Sequence, residues 1–141
     1  MENSFKTKVY YADTDAFGVV WHGTYLRWLE RGRMDFCENF GIDFAQMQQE
    51  NIVMPVASLD IKYKISAKLS DTLEIKSEIT ELTPLYVVFN QKIYFENTTK
   101  LCLEANVKVV AVDNNGKLYR KMPQKLYDIL NEIKESANET K

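Results

Sequence analysis

The sequence predicts an α+β fold, in which one long helix lies on one face of an antiparallel sheet of about five strands. Apolar residues recur at helical spacing over residues 24–40 and again after Pro123, whereas from residue 53 onward they alternate with polar residues at a period of two. Short turn sequences separate the alternating segments, and consecutive strands joined by tight turns pair antiparallel. A helix on one face of such a sheet is an α+β layer arrangement.

The first strand is predicted over residues 5–11, with Phe5, Val9 and Tyr11 on one face. The long helix is predicted over residues 24–40, and Gly41 is expected to end it. Its apolar stripe contains eight residues: Tyr25, Leu29, Gly32, Phe36 and Phe40, widened by Leu26, Trp28 and Cys37. Because this stripe is broad for a surface helix, we expect a curved sheet to grip the helix along much of its length.

A short second helix is predicted over residues 44–49. Four strands follow, over residues 53–63, 73–80, 87–96 and 101–109. Pro55 is expected to break or bulge the first of these strands, and Pro123 opens a terminal helix. The sequence contains no internal repeat and no linker, so we predict a single domain over residues 1–141.

The composition excludes several classes of protein. The chain has 141 residues, 45% of them hydrophobic and 27% charged, which is the balance of a globular domain rather than a disordered one. Its net charge of −2 argues against a dedicated nucleic-acid binder. No apolar run approaches the length of a membrane span and no signal peptide is recognisable, so we expect a cytoplasmic protein. No metal site is predicted, and Cys37 and Cys102 are expected to be buried free thiols.

Residues 11–25 connect the first strand to the long helix and contain the residues best suited to chemistry. This stretch reads YADTDAFGVVWHGTY, with two carboxylates, a glycine and the only histidine of the chain. The first N–H groups of a helix have no partner within the helix, so they can meet an anion. A carboxylate held beside them can act on a carbonyl whose oxygen they polarise. The sequence therefore predicts the active site at this connection.

The motif Tyr-x-Asp-Thr-Asp-x-x-Gly-Val-Val-x-His-x-x-Tyr, with the order of elements around it, resembles the hotdog-fold thioesterases of the 4-hydroxybenzoyl-CoA thioesterase type. Within that family the chain is similar to the bacterial acyl-CoA thioesterase branch, and the resemblance runs from residue 5 to about residue 127. It implies a hotdog fold, in which the antiparallel sheet wraps around one long central helix. It also implies an enzyme that hydrolyses acyl-CoA to a free acid and coenzyme A. Such an enzyme needs no cofactor, since coenzyme A is part of its substrate.

The resemblance assigns roles to the residues of the motif. It makes Asp15 the catalytic carboxylate, acting either as nucleophile or as general base, and places the donor for the thioester carbonyl on the backbone near His22. It implies a homodimer, often doubled to a homotetramer, with each active site at the dimer interface. Phe17 and Trp21 are bulky residues that, with Gly18 and Tyr25, are expected to contact the substrate, and the identity of the acyl group stays open.

Several residues keep two interpretations. Asp13 is expected to order the loop through an Asx turn, and a share in catalysis is the alternative. His22 either donates to the substrate or orients the loop, and Tyr25 either lines the pocket or belongs to the core. Glu30 is either a competing base or a partner of the neighbouring arginines in a surface ion pair.

The phosphates of coenzyme A are expected to meet basic residues, and the candidates are Lys62, Lys64 and Lys68. Two other functions are compatible with the same fold. One is a scaffolding or acyl-thioester-binding protein without turnover. The other is a dehydratase that acts on hydroxyacyl thioesters, in which His22 is the only histidine that can remove the proton.

Overall fold

A computed structural model describes residues 4–139 of the chain, with side chains for residues 4–136. Five strands form one antiparallel sheet in the order β1-β3-β4-β5-β2. The strands are β1 (Ser4–Lys8), β2 (Val56–Tyr63), β3 (Thr72–Leu82), β4 (Tyr86–Phe95) and β5 (Leu101–Val110). The helices are α1 (His22–Asn39), α2 (Phe44–Gln49) and α3 (Gln124–Glu139), and Tyr11–Asp13 forms a 3-10 turn. The predicted α+β class is confirmed.

The sheet order differs from the prediction at one strand. Consecutive pairing holds for β3, β4 and β5, but it is wrong for β2, which lies at the edge of the sheet beside β5 rather than beside β3. The reason is the connection over residues 64–71, which is not a hairpin turn. Its first N–H groups, at Lys64 and Ile65, donate to the carbonyl of Cys102 in β5, and the connection then crosses to the start of β3. The other edge strand, β1, pairs antiparallel with β3, with Ser4 opposite Lys76 and Lys8 opposite Thr72.

The predicted first strand is too long. β1 ends at Lys8, and Tyr11 is 81% exposed in the 3-10 turn rather than on the strand face shared by Phe5 and Val9. The chain leaves the strand because the Asp13 carboxylate accepts the N–H of Tyr10 and closes the turn. The predicted break at Pro55 is confirmed, since β2 begins only at Val56.

Helix α1 begins at His22, two residues earlier than predicted, and ends at Asn39 before Gly41, whose φ is +94°. Most of the predicted stripe is buried, including Trp28, Leu29 and Phe36. Leu26 is a correction, because its side chain is 41% exposed and does not widen the buried face. Cys37 and Cys102 are buried free thiols, as predicted.

A polar group on the sheet anchors the middle of α1. The fully buried amide of Gln91, in β4, donates to the carbonyl oxygen of Leu29 (2.8 Å) and to Ser77 Oγ (2.9 Å). Its oxygen accepts from Arg33 Nη1 at 3.1 Å. All the hydrogen-bonding capacity of the Gln91 amide nitrogen is therefore used, which is what a polar side chain needs in order to be buried without a large cost in free energy.

The described residues group into two units, one of residues 4–36, 61–77 and 91–105 and the other of residues 37–60, 78–90 and 106–139. The second unit buries the apolar side of α3 through Leu126, Leu130 and Ile133, with Met47 buried on α2. The single domain over residues 1–141 stays a prediction. Among the described helices, none combines the length and the apolar character needed to cross a membrane.

The close approach of α1 to the sheet generates a prediction about stability. A Cβ atom at Gly32 would lie 2.7 Å from Ile75 Cγ2, on a β-branched side chain that is fully buried. We therefore expect Gly32→Ala to lower the free energy of unfolding by about 1–3 kcal/mol, because overpacking outweighs the better helix propensity of alanine. Urea denaturation measures this change. A double variant with Ile75→Leu removes the Cγ2 branch and should recover part of the loss, and a Gly32→Ala variant as stable as wild type would contradict the packing.

Candidate active site

The loop between β1 and α1 is a short hairpin. Thr14 and Val20 form an antiparallel bridge, and the Asp15 N–H donates to the carbonyl of Val19 at 2.9 Å. The Gly18 N–H donates to the carbonyl of Asp15 at 3.0 Å, which closes a four-residue turn. Gly18 has a φ of +79°, a conformation that other residues rarely adopt, so the turn requires a glycine at this position.

Asp13 joins this hairpin to the start of α1. Its carbonyl oxygen accepts the N–H of Trp21 at 2.8 Å and the hydroxyl of Thr24 at 3.2 Å. Its carboxylate accepts the N–H of Tyr10, which precedes it in the chain. Asp13 therefore orders the loop as expected, but not through an Asx turn. The Asx turn belongs to Asp15 instead, whose Oδ1 accepts an N–H two residues further along the chain.

A cavity of about 430 Å³ opens beside the hairpin and the first turn of α1. Eight residues line it: Asp15, Val20, His22, Tyr25, Tyr63, Lys64, Ile65 and Ser66. The cavity thus brings together four of the residues that the sequence singles out, namely Asp15, His22, Tyr25 and Lys64.

The Asp15 carboxylate has one oxygen engaged and one available. Oδ1 accepts the N–H of Phe17 at 2.8 Å, which holds the side chain in a defined orientation. Oδ2 has no donor among the residues that the structure describes. A carboxylate oxygen without a protein partner can accept a proton from water or attack an electrophile.

The first N–H groups of α1 are also available. The Trp21 N–H is taken by the Asp13 carbonyl, and the Thr24 N–H donates to the carbonyl of Trp21 at 2.9 Å. The N–H groups of His22 and Gly23 have no acceptor in the described part of the chain. These groups lie at the positive end of the helix dipole, so they are suited to stabilise negative charge on a ligand oxygen. The His22 ring lies against Trp21, with 5.1 Å between the ring centroids.

Tyr25 both lines the cavity and belongs to the core. Its side chain is only 4% exposed, and its ring packs edge-on against Trp28 and at a tilt against Tyr63. The Ala67 N–H donates to Tyr25 Oη at 3.1 Å, and Cys102 Sγ lies 3.7 Å from the same oxygen. Burial raises the pKa of the Tyr25 hydroxyl above its usual value of about 10, so the group stays protonated at neutral pH. Burial raises the pKa of the Cys102 thiol as well.

Other predicted site residues lie outside the lining of this cavity. Phe17 is 90% exposed at the tip of the hairpin, and Trp21 is 49% exposed. Gly18 shapes the turn without lining the cavity. Lys62 and Lys68 are exposed, and neither lines the cavity. The proposed contacts of these five residues with substrate or coenzyme A stay predictions.

Glu30, the competing base, is exposed on α1. Within the described residues Glu30 makes no ion pair. It is also not among the residues that line the cavity, so the structure supports neither interpretation.

Sequence reasoning missed four lining residues. Val20 lies in the first loop, whereas Tyr63, Ile65 and Ser66 belong to the end of β2 and the connection that follows it. The position of the latter three depends on the placement of β2 beside β5, and the sequence contains no local signal for that placement.

A family model described as the thioesterase-like superfamily matches residues 9–130. The acyl-CoA thioesterase YbgC from Haemophilus influenzae is 37% identical over 113 residues, which cover 78% of this chain and 80% of that protein. The acyl-CoA thioester hydrolase YbgC from Escherichia coli is 35% identical over 119 residues, covering 84% of this chain and 88% of that protein.

The fold is similar to that of a solved structure, the DHNA-CoA thioesterase from Staphylococcus aureus, with a TM-score of 0.87. That comparison covers 98% of this chain and 94% of the other, at 24% sequence identity, so it supports the fold alone. The predicted hotdog fold is confirmed. The chain therefore belongs to the thioesterase-like superfamily, a family of thioester hydrolases, as its first loop and order of elements predict.

Proposed function

We propose that this chain hydrolyses acyl-CoA thioesters to a free acid and coenzyme A. The observation that carries the proposal is a cavity lined by both Asp15 and His22. Among the described residues, Oδ2 of Asp15 has no donor and the N–H groups of His22 and Gly23 at the start of α1 have no acceptor. Two relatives at 35% and 37% identity, named as acyl-CoA thioester hydrolase and acyl-CoA thioesterase, support the same reaction.

In the proposed reaction the N–H groups at the start of α1 bind the thioester carbonyl oxygen. As the carbonyl carbon becomes tetrahedral, negative charge develops on this oxygen, and donors of this kind contribute about 3–4 kcal/mol to the stability of the transition state. They require no rearrangement, because the Asp13 carbonyl already holds the preceding residue, Trp21, in place.

Asp15 then has two routes. As a nucleophile, Oδ2 attacks the carbonyl carbon and expels the thiolate of coenzyme A, which leaves a mixed anhydride for water to hydrolyse. As a general base, Oδ2 takes a proton from a water molecule that attacks the same carbon, and the thiolate leaves with the electron pair of the C–S bond. Either route is compatible with a carboxylate whose orientation is set by its Oδ1 bond to Phe17.

His22 and Lys64 have supporting roles in this proposal. The imidazole of His22 lines the same cavity as Asp15, so it can donate a hydrogen bond to the substrate in addition to the main-chain N–H. Lys64 is the one of the three candidate lysines that lines the cavity, and it is therefore the one that we assign to a coenzyme A phosphate.

The exposed edge of the sheet supports a homodimer. Every residue of β2 except Ile61 is exposed, and the strand presents apolar side chains that include Val56 (46% exposed), Leu59 (41%) and Tyr63 (56%). A bare apolar edge strand is a surface for pairing with another chain. Because Tyr63 also lines the cavity, a second copy paired along β2 would cover the mouth of the active site. Doubling of such a dimer would give the tetramer that the family resemblance implies.

Replacement of the carboxylate tests the proposed chemistry. Asp15→Asn keeps an oxygen that can accept the Phe17 N–H, so the hairpin should persist while the base or nucleophile is lost. We expect the turnover of acyl-CoA to fall by about 100-fold or more, measured as thiol release from a panel of acyl-CoAs. Asp43→Asn is the matched control, because Asp43 likewise accepts a backbone N–H, from Gln46 at the start of α2, and asparagine caps helices equally well.

Each outcome of this assay has a distinct meaning. Full activity of Asp15→Asn would refute the assigned role of the carboxylate. An unsaturated or hydrated product without thiol release would indicate a dehydratase. Binding of acyl-CoA without any turnover by the wild type would indicate a scaffolding or binding protein.

A charge on the edge strand tests the dimer. We expect Leu59→Lys to shift the protein toward the monomer, because pairing along β2 would bring the two copies of the new charge close together. Multi-angle light scattering after size exclusion measures the mass. Leu85→Lys is the control, since Leu85 is equally exposed (41%) but lies in the turn between β3 and β4. An unchanged mass for Leu59→Lys would place the interface elsewhere.

A further inference from the structure

Helix α1 begins without the kind of side chain that usually caps a helix. The residue before its first turn is Trp21, whose carbonyl oxygen accepts the N–H of Thr24 at 2.9 Å. At this position serine, threonine, aspartate and asparagine are strongly preferred, because their side-chain oxygen accepts an N–H of the first turn. An indole has one N–H to donate and no acceptor. Trp21 therefore cannot bind the first N–H groups of α1 through its side chain.

Helix α2 begins in the ordinary way. The Asp43 carboxylate precedes its first turn and accepts the Gln46 N–H at 3.0 Å. Helix α2 contributes no residue to the cavity lining, whereas the first residue of α1, His22, does line the cavity. Of the two helices, the one whose start forms part of the cavity is thus the one that has no side-chain cap.

The indole ring of Trp21 lies against the first turn of α1. A Cβ atom at Gly23 would overlap three atoms of the six-membered ring, so a larger residue at this position would push the ring away. In a helix each Cα–Cβ bond tilts toward the N-terminus, the direction in which the first N–H groups also point. The ring therefore occupies space beside these N–H groups, and its centroid is 5.1 Å from that of the His22 ring.

We propose that Trp21 is a positioning residue that keeps the N–H groups of His22 and Gly23 available to the oxygen of the substrate. This inference rests on the proposed thioesterase function, in which these groups stabilise the oxyanion. A capping side chain would compete with the substrate for them, and the indole excludes water on the side that it covers. Because Trp21 does not line the cavity, this role requires no contact with the substrate. The uncapped helix is less stable than a capped one, and the site gains two unoccupied donors.

Two substitutions of similar size test the proposal. Trp21→Asn and Trp21→Leu both remove the indole, but only asparagine has an oxygen that can accept the Gly23 N–H. We expect Trp21→Asn to melt about 3–6 °C above Trp21→Leu, because asparagine caps α1. We expect its kcat for thiol release from acyl-CoA to lie about tenfold or more below that of Trp21→Leu, with a smaller change in KM. A purely structural role would instead make the more stable variant the more active one.

A control separates capping from activity. Asp43→Ala removes the cap of α2, which lies outside the cavity lining. We expect the melting temperature to fall by an amount similar to the gain at Trp21, while kcat stays at the wild-type value.

A second measurement tests the place of the ring. The new Cβ atom in Gly23→Ala should displace the indole, so we expect a fall in kcat and stronger quenching of tryptophan fluorescence by acrylamide. The only other tryptophan, Trp28, is 4% exposed, so the change in quenching reports on Trp21. In a Trp21→Leu background the same alanine should change kcat much less, because the indole that it displaces is gone.

The outcomes separate this inference from the thioesterase function itself. If Trp21→Asn has the kcat of Trp21→Leu while the wild type releases thiol, the inference is overturned and the hydrolase stands. Equal melting temperatures of these two variants also overturn it, because no N–H then awaits a cap. Should either variant fail to fold, the alanine at Gly23 decides, and equal losses of kcat in both backgrounds overturn the role of the ring. No thiol release by the wild type from any acyl-CoA refutes the proposed function and this inference with it.

Discussion

The hydrogen bonds of the Asp13 main chain hold the site together. Its carbonyl oxygen binds the Trp21 N–H and the Thr24 hydroxyl, so that the hairpin and the first turn of α1 meet at a fixed angle. The carboxylate of Asp15 belongs to the hairpin, whereas the N–H groups of His22 and Gly23, which have no acceptor within residues 4–139, belong to the helix. Their separation is thus determined by Asp13, which itself does not line the cavity. The reaction proposed above requires a base and an oxyanion donor around one carbonyl, and for such a reaction this positioning matters as much as the reactive groups.

Contacts with the sheet fix the middle of α1, as the Asp13 hydrogen bonds fix its start. Gly32 allows the helix to approach Ile75, and the buried Gln91 amide binds the Leu29 carbonyl from the sheet. Apolar packing alone permits a helix to slide or rotate, because it has little directional preference. The buried amide of Gln91 adds a directional contact, since a shift of α1 would break its hydrogen bonds to Leu29 and Arg33. The helix therefore presents His22 and Tyr25 to the cavity in one register.

Much of this could be predicted from the sequence because its signals are local. Alternation marks β3, β4 and β5, helical spacing marks α1, and the hairpin has a glycine where its backbone requires a positive φ. The parts that escaped prediction depend on contacts distant in the chain. The pairing of β2 with β5 is one example, and the placement of Tyr63, Ile65 and Ser66 in the cavity wall follows from it. The early start of α1 depends on the Asp13 carbonyl, which no periodicity in the helix reveals.

The wall of the cavity comes from two short stretches, residues 15–25 and residues 63–66, and none of its lining residues belongs to β3, β4 or β5. The shape and the polarity of the cavity can therefore differ between relatives through a few substitutions in these stretches, without any change in β3, β4 or β5. Relatives that share one scaffold can in this way process chemically different molecules, because the lining residues other than Val20 and Tyr25 lie outside the buried core.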